Sequence, residues 1–163
     1  MIFRSKAPLR IGLAGGGTDV SPYCDLYGGA ILNTTISHAA YASIETLDAN
    51  KIIVETLDRK EKQEFSWDTI LPIDGELNLL KGVYNRIQKD YGIKKCGIRL
   101  STFVDAPAGS GLGTSSTLVV AILGAFIEML RLPFSQYDAA HYAYDIERNN
   151  LQLAGGRQDQ YAA

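Results

Sequence analysis

Residues 105–116 read Asp105-Ala106-Pro107-Ala108-Gly109-Ser110-Gly111-Leu112-Gly113-Thr114-Ser115-Ser116. Before them, Cys96 to Val104 alternates, with Ile98, Leu100 and Val104 on one side, the pattern of a half-buried strand. After them, an apolar run predicts a helix over about 114–130. Alternating glycines between a strand and a helix let the backbone turn with positive φ and approach a ligand closely. The helix start adds free N–H groups and the positive end of its dipole. The combination suits a phosphate. A hydroxyl from Thr114, Ser115 or Ser116 can cap the helix, and another can reach a metal. Two familiar templates fail. The P-loop needs a lysine where Thr114 stands, and the dinucleotide fingerprint counted from Gly111 needs a glycine where Ser116 stands. A tight turn with no ligand is the plainer alternative for the segment alone.

Working outward, residues 2–13 read as extended, with Pro8 breaking the run. Residues 30–36, 39–47, 51–57 and 61–66 read as four strands rich in Ile, Val, Thr and Tyr. A short helix is predicted from Ser21, and a longer one over 76–91 with Leu80, Val83, Tyr84, Ile87 and Tyr91 on one face and Gly92 as its stop. Ser135 with Asp138 three residues on has the form of a capping box, opening a helix to about Asn149. Strands come first and helices are interleaved later. The fold class is therefore α+β, a mixed sheet with helices on one face, rather than a regular βαβ array.

Length bounds the chain: 163 residues make one domain, with at most a start on a second. Sixteen Lys and Arg against eighteen Asp and Glu leave no basic field for nucleic acid or an anionic membrane. No apolar run is long enough to span a bilayer, and Arg4, Lys6 and Arg10 interrupt any signal-peptide core, so the expected place is the cytoplasm. Cys24 and Cys96 lie far apart with no metal-ligand spacing, and read as free buried thiols.

Three further features carry polar groups where they need explaining. Arg10 lies inside an apolar strand, either at an exposed edge or aimed at an anion. Glu147 ends the apolar stripe Ala140, Ala143, Tyr144, either at the rim or paired with a cation. Asp159 follows a glycine-led turn, Gly155-Gly156-Arg157-Gln158, and alone could be a helix cap. Gly15-Gly16-Gly17-Thr18-Asp19 forms a second glycine turn, in which successive N–H groups can make an anion nest.

Together these segments resemble the GHMP kinase superfamily. Pro107 to Ser116 is similar to its P-x-G-x-G-L-G-S-S-A nucleotide loop, with Thr114 for the first Ser and Ser116 for the Ala. Ala7-Pro8-Leu9-Arg10 is similar to the A-P-G-[RK] motif, and Asp159-Gln160-Tyr161 to D-Q-[FY]. The resemblance spans 1–163 and implies the amino-terminal ATP-binding domain. The superfamily's third motif, a glycine-rich loop in its carboxy-terminal half, is absent, so the carboxy-terminal domain is expected to lie outside this chain. The chain alone is then expected to be inactive.

The resemblance also implies roles. Pro107, Gly109, Ser110, Gly111, Leu112, Gly113, Thr114, Ser115 and Ser116 would hold ATP. Ser115 and Glu147 would bind Mg²⁺, and Asp159 would take the acceptor's proton with Arg10 beside it. Gly15, Gly16, Gly17, Thr18, Asp19 and Arg157 would meet the acceptor. A cation beside an aspartate favours the charged form that accepts a proton. Within the superfamily, residues 9–23 and 28–36 are most like the sugar-1-kinases of heptose 7-phosphate. A galactokinase carries Glu and His where Gly16 and Gly17 stand. The rival readings are a kinase of fucose or galactose, and a noncatalytic nucleotide- or sugar-binding fragment.

Overall fold

The computed structural model describes residues 1–67, 69–93 and 96–163. Its sheet is built from β1 (Ile2–Ala14), β2 (Leu32–Leu47), β3 (Lys51–Thr56), β4 (Glu61–Ser66) and β5 (Gly97–Val104), in the order β1-β2-β5-β3-β4. All neighbours are antiparallel except β3 and β5. The helices are α1 (Tyr23–Tyr27), α2 (Asn78–Tyr91), α3 (Thr114–Leu130), α4 (Gln136–Asp145) and α5 (Gln158–Ala162). The α+β expectation holds.

Where the sequence predicts two strands over 30–36 and 39–47, Leu32–Leu47 forms one, and residues 30 and 31 precede it. Pro8 pairs with Ala39 and Arg10 with Thr35, so a bulge in β2 separates the two segments without ending the strand. Pro8 does not break β1 either. It sits beside that bulge in an edge strand, where its missing N–H is tolerated.

The alternation of β5 buries Ile98, Leu100 and Thr102 and turns Arg99, Ser101 and Phe103 outward. On the inner face, Ile44, Ile52, Val54, Ile98 and Leu100 join Val83, Tyr84 and Ile87 of α2 and Val119, Ile122 and Phe126 of α3 in one core. Helix α3 is apolar nearly all round because it lies between the sheet and the other helices. On α2 the predicted face is buried except Tyr91, which is exposed. Lys81 is buried as well; its Nζ donates to the Asp74 carbonyl at 2.6 Å and lies 3.5 Å from Asp74 Oδ1, partners that partly replace the water burial removes.

The capping box at Ser135 forms as predicted. The helix it opens does not run on evenly to Asn149. Past Asp145 it widens into a π-helical turn, Ile146–Asn150, with Leu151 N donating to Ile146 O at 3.0 Å. Such turns insert one residue into a helix and recur at functional sites. Cys24 and Cys96 are free thiols, half-buried rather than buried. Among the described residues, no helix is long and apolar enough to cross a membrane.

Candidate active site

The glycine loop leaves the end of β5 and enters α3. Asp105 anchors its start, with Oδ2 accepting from Ala39 N at 2.9 Å. Gly109, Gly111 and Gly113 all adopt positive φ, at 78°, 75° and 76°. Gly113 is needed for space as well. A Cβ there would lie 3.1 Å from Asp159 Cγ and 3.5 Å from Arg10 Cζ. The loop therefore approaches a carboxylate and a guanidinium that the sequence holds far apart. Thr114 and Ser115, in the first turn of α3, line a small cleft with Thr56, Asp58, Arg59 and Leu79.

Arg10 sits on the edge strand yet is not a solvent-facing edge residue. Its Nε donates to Asp159 Oδ1 at 2.7 Å, and Nη2 lies 2.5 Å from the same oxygen. Its Nη1 donates to Gly111 O at 2.6 Å, and its backbone N–H to Leu112 O at 3.1 Å. One guanidinium thus ties β1, the glycine loop and α5 together. Asp159 is not the cap of α5. Asp19 has that place, with Oδ2 accepting from the N–H groups of Arg157 and Gln158, the latter at 2.8 Å.

The second glycine turn is built for closeness. Gly15 has φ 77°, and a Cβ on it would fall 1.9 Å from Ala30 O. Thr18 closes the turn: its Oγ1 donates to Gly15 O at 2.7 Å and accepts from Ala30 N at 3.1 Å. That hydroxyl is committed to holding the loop, which explains Thr18 without an acceptor. The side chain of Gln158 lies across Gly16 and Gly12, bringing the turn against α5. Beside it opens a cleft of about 370 Å³ lined by Asp19, Ile31, Asn33, Arg157, Gln158 and Tyr161. The Arg157 guanidinium packs 5.2 Å from the centre of the Tyr144 ring, and Arg148 lies at the same distance.

Glu147, in the π-helical turn, is neither at a rim nor held chiefly by a cation. It is 2% exposed. Ser116 Oγ donates to its Oε2 at 2.9 Å and Gln160 Nε2 to its Oε1 at 2.9 Å, while Arg148 Nη2 stays at 3.4 Å. Desolvation raises its pKa above the ordinary carboxylate value, and the hydrogen bonds only partly offset this. The family resemblance implies that Ser115 and Glu147 share a metal ion, not a direct contact. In the fold the serine on Glu147 is Ser116, and Ser115 is exposed on the neighbouring face of α3. The reason is helical geometry, since consecutive residues point about 100° apart.

Sequence reasoning missed Ser116 in this role, and also Gln160 and Arg148. Arg148 donates to Leu153 O and Gly156 O, shaping the segment that delivers Asp159. The only sequence-level signal was indirect: Ser116 stands where the superfamily pattern has alanine.

A phosphate-suited helix start joined to a carboxylate through one guanidinium, on this sheet, narrows the comparison with known proteins. The family described as GHMP kinases N terminal domain matches residues 78–163, more than half of the chain. The chain belongs to the GHMP kinase family. It is 48% identical to the D-glycero-alpha-D-manno-heptose 7-phosphate kinase of Campylobacter jejuni over 98% of its own length and 47% of that protein's. It is 31% identical to the L-fucokinase/L-fucose-1-P guanylyltransferase of Bacteroides fragilis, covering 96% of this chain and 19% of that one. The crystal structure of a D-glycero-D-manno-heptose 1-phosphate kinase from Bacteroides thetaiotaomicron superposes with a TM-score of 0.94 at 55% identity. It covers all of this chain and 53% of that one. The chain thus spans about half the length of these two heptose phosphate kinases. The galactokinase of Lactococcus lactis, with a TM-score of 0.82 at 23% identity, shares the fold.

Proposed function

We propose that this chain is the amino-terminal, nucleotide-binding half of an ATP-dependent sugar-1-kinase acting in the cytoplasm. Its acceptor is D-glycero-D-manno-heptose 7-phosphate and its product the 1,7-bisphosphate. The observation that carries the reading is the junction of Arg10, Gly111, Gly113 and Asp159, where a phosphate cradle meets a carboxylate. The 48% identity to a heptose 7-phosphate kinase supports the choice of acceptor.

Phosphoryl transfer asks for positioning and charge stabilisation rather than elaborate covalent chemistry. Residues Pro107, Gly109, Ser110, Gly111, Leu112 and Gly113, with the N–H groups at the start of α3, hold the β and γ phosphates. Thr114 and Ser115 supply hydroxyls at the same end, and Ser116 holds Glu147 from behind. Asp159 accepts the proton of the anomeric hydroxyl as that oxygen bonds to the γ phosphorus and ADP leaves. Arg10 fixes the rotamer of Asp159 and its distance from the loop.

Ser115 and Glu147 are the residues that would hold Mg²⁺. Hard oxygen donors suit it, two protein ligands suffice when phosphates and waters complete the shell, and Glu147 Oε1 keeps a lone pair beyond the bond it accepts from Gln160. When bound, the ion neutralises charge on the β and γ oxygens. Arg157, facing the cleft beside Asp19, meets the acceptor's far phosphate, a dianion that a guanidinium fork matches. Of the three turn glycines, Gly17 faces open space and leaves room for the longer sugar, whereas Gly15 and Gly16 are closed against Ala30 and the Gln158 side chain.

The test is a panel of sugars and sugar phosphates given to the full-length protein with ATP, read by ADP release and by phosphorus NMR of the product. Phosphorylated heptose should be preferred, with the new phosphate on the anomeric carbon. Turnover of free fucose or galactose at equal or greater kcat/KM would move the acceptor to that class. Nucleotide binding with no turnover of any sugar would leave only a binding module.

A further inference from the structure

Gln160 follows Asp159 in α5, and the family reading gives it no task. It is 1% exposed. Its Nε2 lies 2.9 Å from Glu147 Oε1 and 3.1 Å from Ser116 Oγ, so one amide donates to both. Ser116 in turn donates to the other oxygen of Glu147. The three side chains close a ring that joins the start of α3, the π-helical turn and α5. The Oε1 of Gln160 is buried with no hydrogen-bond partner among the described residues. Burying an amide that is only half satisfied is unfavourable, and an apolar side chain of the same shape would avoid it. The amide therefore calls for an explanation beyond packing.

We propose that Gln160 is a positioning residue: with Ser116 it fastens the carboxylate of Glu147 to α5 and so fixes the spacing between Glu147 and Asp159. The inference rests on the reading of Glu147 as a metal-side carboxylate and Asp159 as the acceptor's base. The geometry supports a coupled unit. Asp159 and Gln160 are consecutive, so in α5 one side chain turns to Arg10 and the glycine loop while the next turns inward to Glu147. A shift of α5 that moved one would move the other. Ser116 is one of two departures from the family's nucleotide-loop pattern, and it departs by adding the hydroxyl that completes the ring.

The full-length protein is tested as Gln160→Met, Ser116→Ala and the double variant, each checked for native melting. Two quantities are read: Mn²⁺ affinity in the presence of a nonhydrolysable ATP analogue, by electron paramagnetic resonance, and kcat with KM for ATP. Groups that orient a metal ligand typically matter by about 10- to 100-fold. Gln160→Met should therefore lose about tenfold or more in both Mn²⁺ affinity and kcat, with KM for ATP changed less than about twofold. Ser116→Ala should lose less, in the same direction, and the double variant should resemble Gln160→Met because both act through one carboxylate.

A natively melting Gln160→Met with wild-type Mn²⁺ affinity and kcat would overturn the proposal, as would strictly additive losses. If Gln160→Met does not fold, Ser116→Ala decides, and wild-type metal affinity in it overturns the proposal. If the wild type binds Mn²⁺ and nucleotide but phosphorylates no sugar, the kinase reading fails and the metal measurement still decides this one.

Discussion

Arg10→Lys keeps the charge and removes the fork. Arg10 directs two nitrogens at Asp159 Oδ1, at 2.7 and 2.5 Å, and a third at Gly111 O, at 2.6 Å. An ammonium is a single point on a flexible stem, and it can serve the carboxylate or the loop carbonyl but not both in this geometry. At least one charge-assisted hydrogen bond is lost, worth about 1.5–3 kcal/mol when sheltered. The side chains of Arg10 and Asp159 are 11% and 23% exposed, so water compensates in part and about 1–2 kcal/mol is the fair expectation. Because the bond holds the base against the phosphate loop, the loss should fall on the chemical step. That is about 5- to 30-fold in kcat. The assay is ADP release by the full-length protein at saturating ATP and Mg²⁺, with heptose 7-phosphate varied. Arg10→Ala should be worse than Arg10→Lys, since it removes the charge too. A kcat for Arg10→Lys within twofold of wild type would falsify the fork argument, as would an alanine variant no worse than the lysine one.

Asp159→Asn keeps the shape and loses the proton acceptor; kcat should drop by about 100-fold or more while ATP affinity, measured by calorimetry, is retained. Asp19→Ala removes the cap of α5 and should cost about 1 kcal/mol in chemical denaturation together with kcat, and Asp19→Asn should recover much of both. Glu147 gives a pH dependence. Burial puts its folded pKa above the 4.5 of a free glutamate, so its contribution is full below that value and is lost as pH rises through the folded pKa. Metal-free protein should therefore lose stability over that rise, and Glu147→Gln should flatten the slope in denaturant melts; equal slopes would refute the assignment. Arg157→Ala should raise KM for the phosphorylated heptose while leaving KM for ATP unchanged, and an unchanged acceptor KM would assign Arg157 to its stack on Tyr144.

Local chemistry made much of the molecule legible from its sequence. The bounds of α3, the capping box at Ser135 and the stop at Gly92 are decided by residues a few positions apart, because hydrogen bonding and φ preferences act at that range. The glycine loop was readable for the same reason. The two segments of β2 were misjudged because a bulge is specified by the partner strand, not by the strand's own residues. The choice between an edge arginine and an anion-directed one at Arg10 was closed by Asp159, 149 positions away. Likewise Asp19, not Asp159, proved to be the cap of α5. Ser115 and Ser116 could not be told apart along the chain, since both sit at the start of α3. Only the rotation of that helix against the π-helical turn and α5 gives Ser116 to Glu147 and leaves Ser115 at the cleft, because a side chain's direction there is set by packing between distant elements.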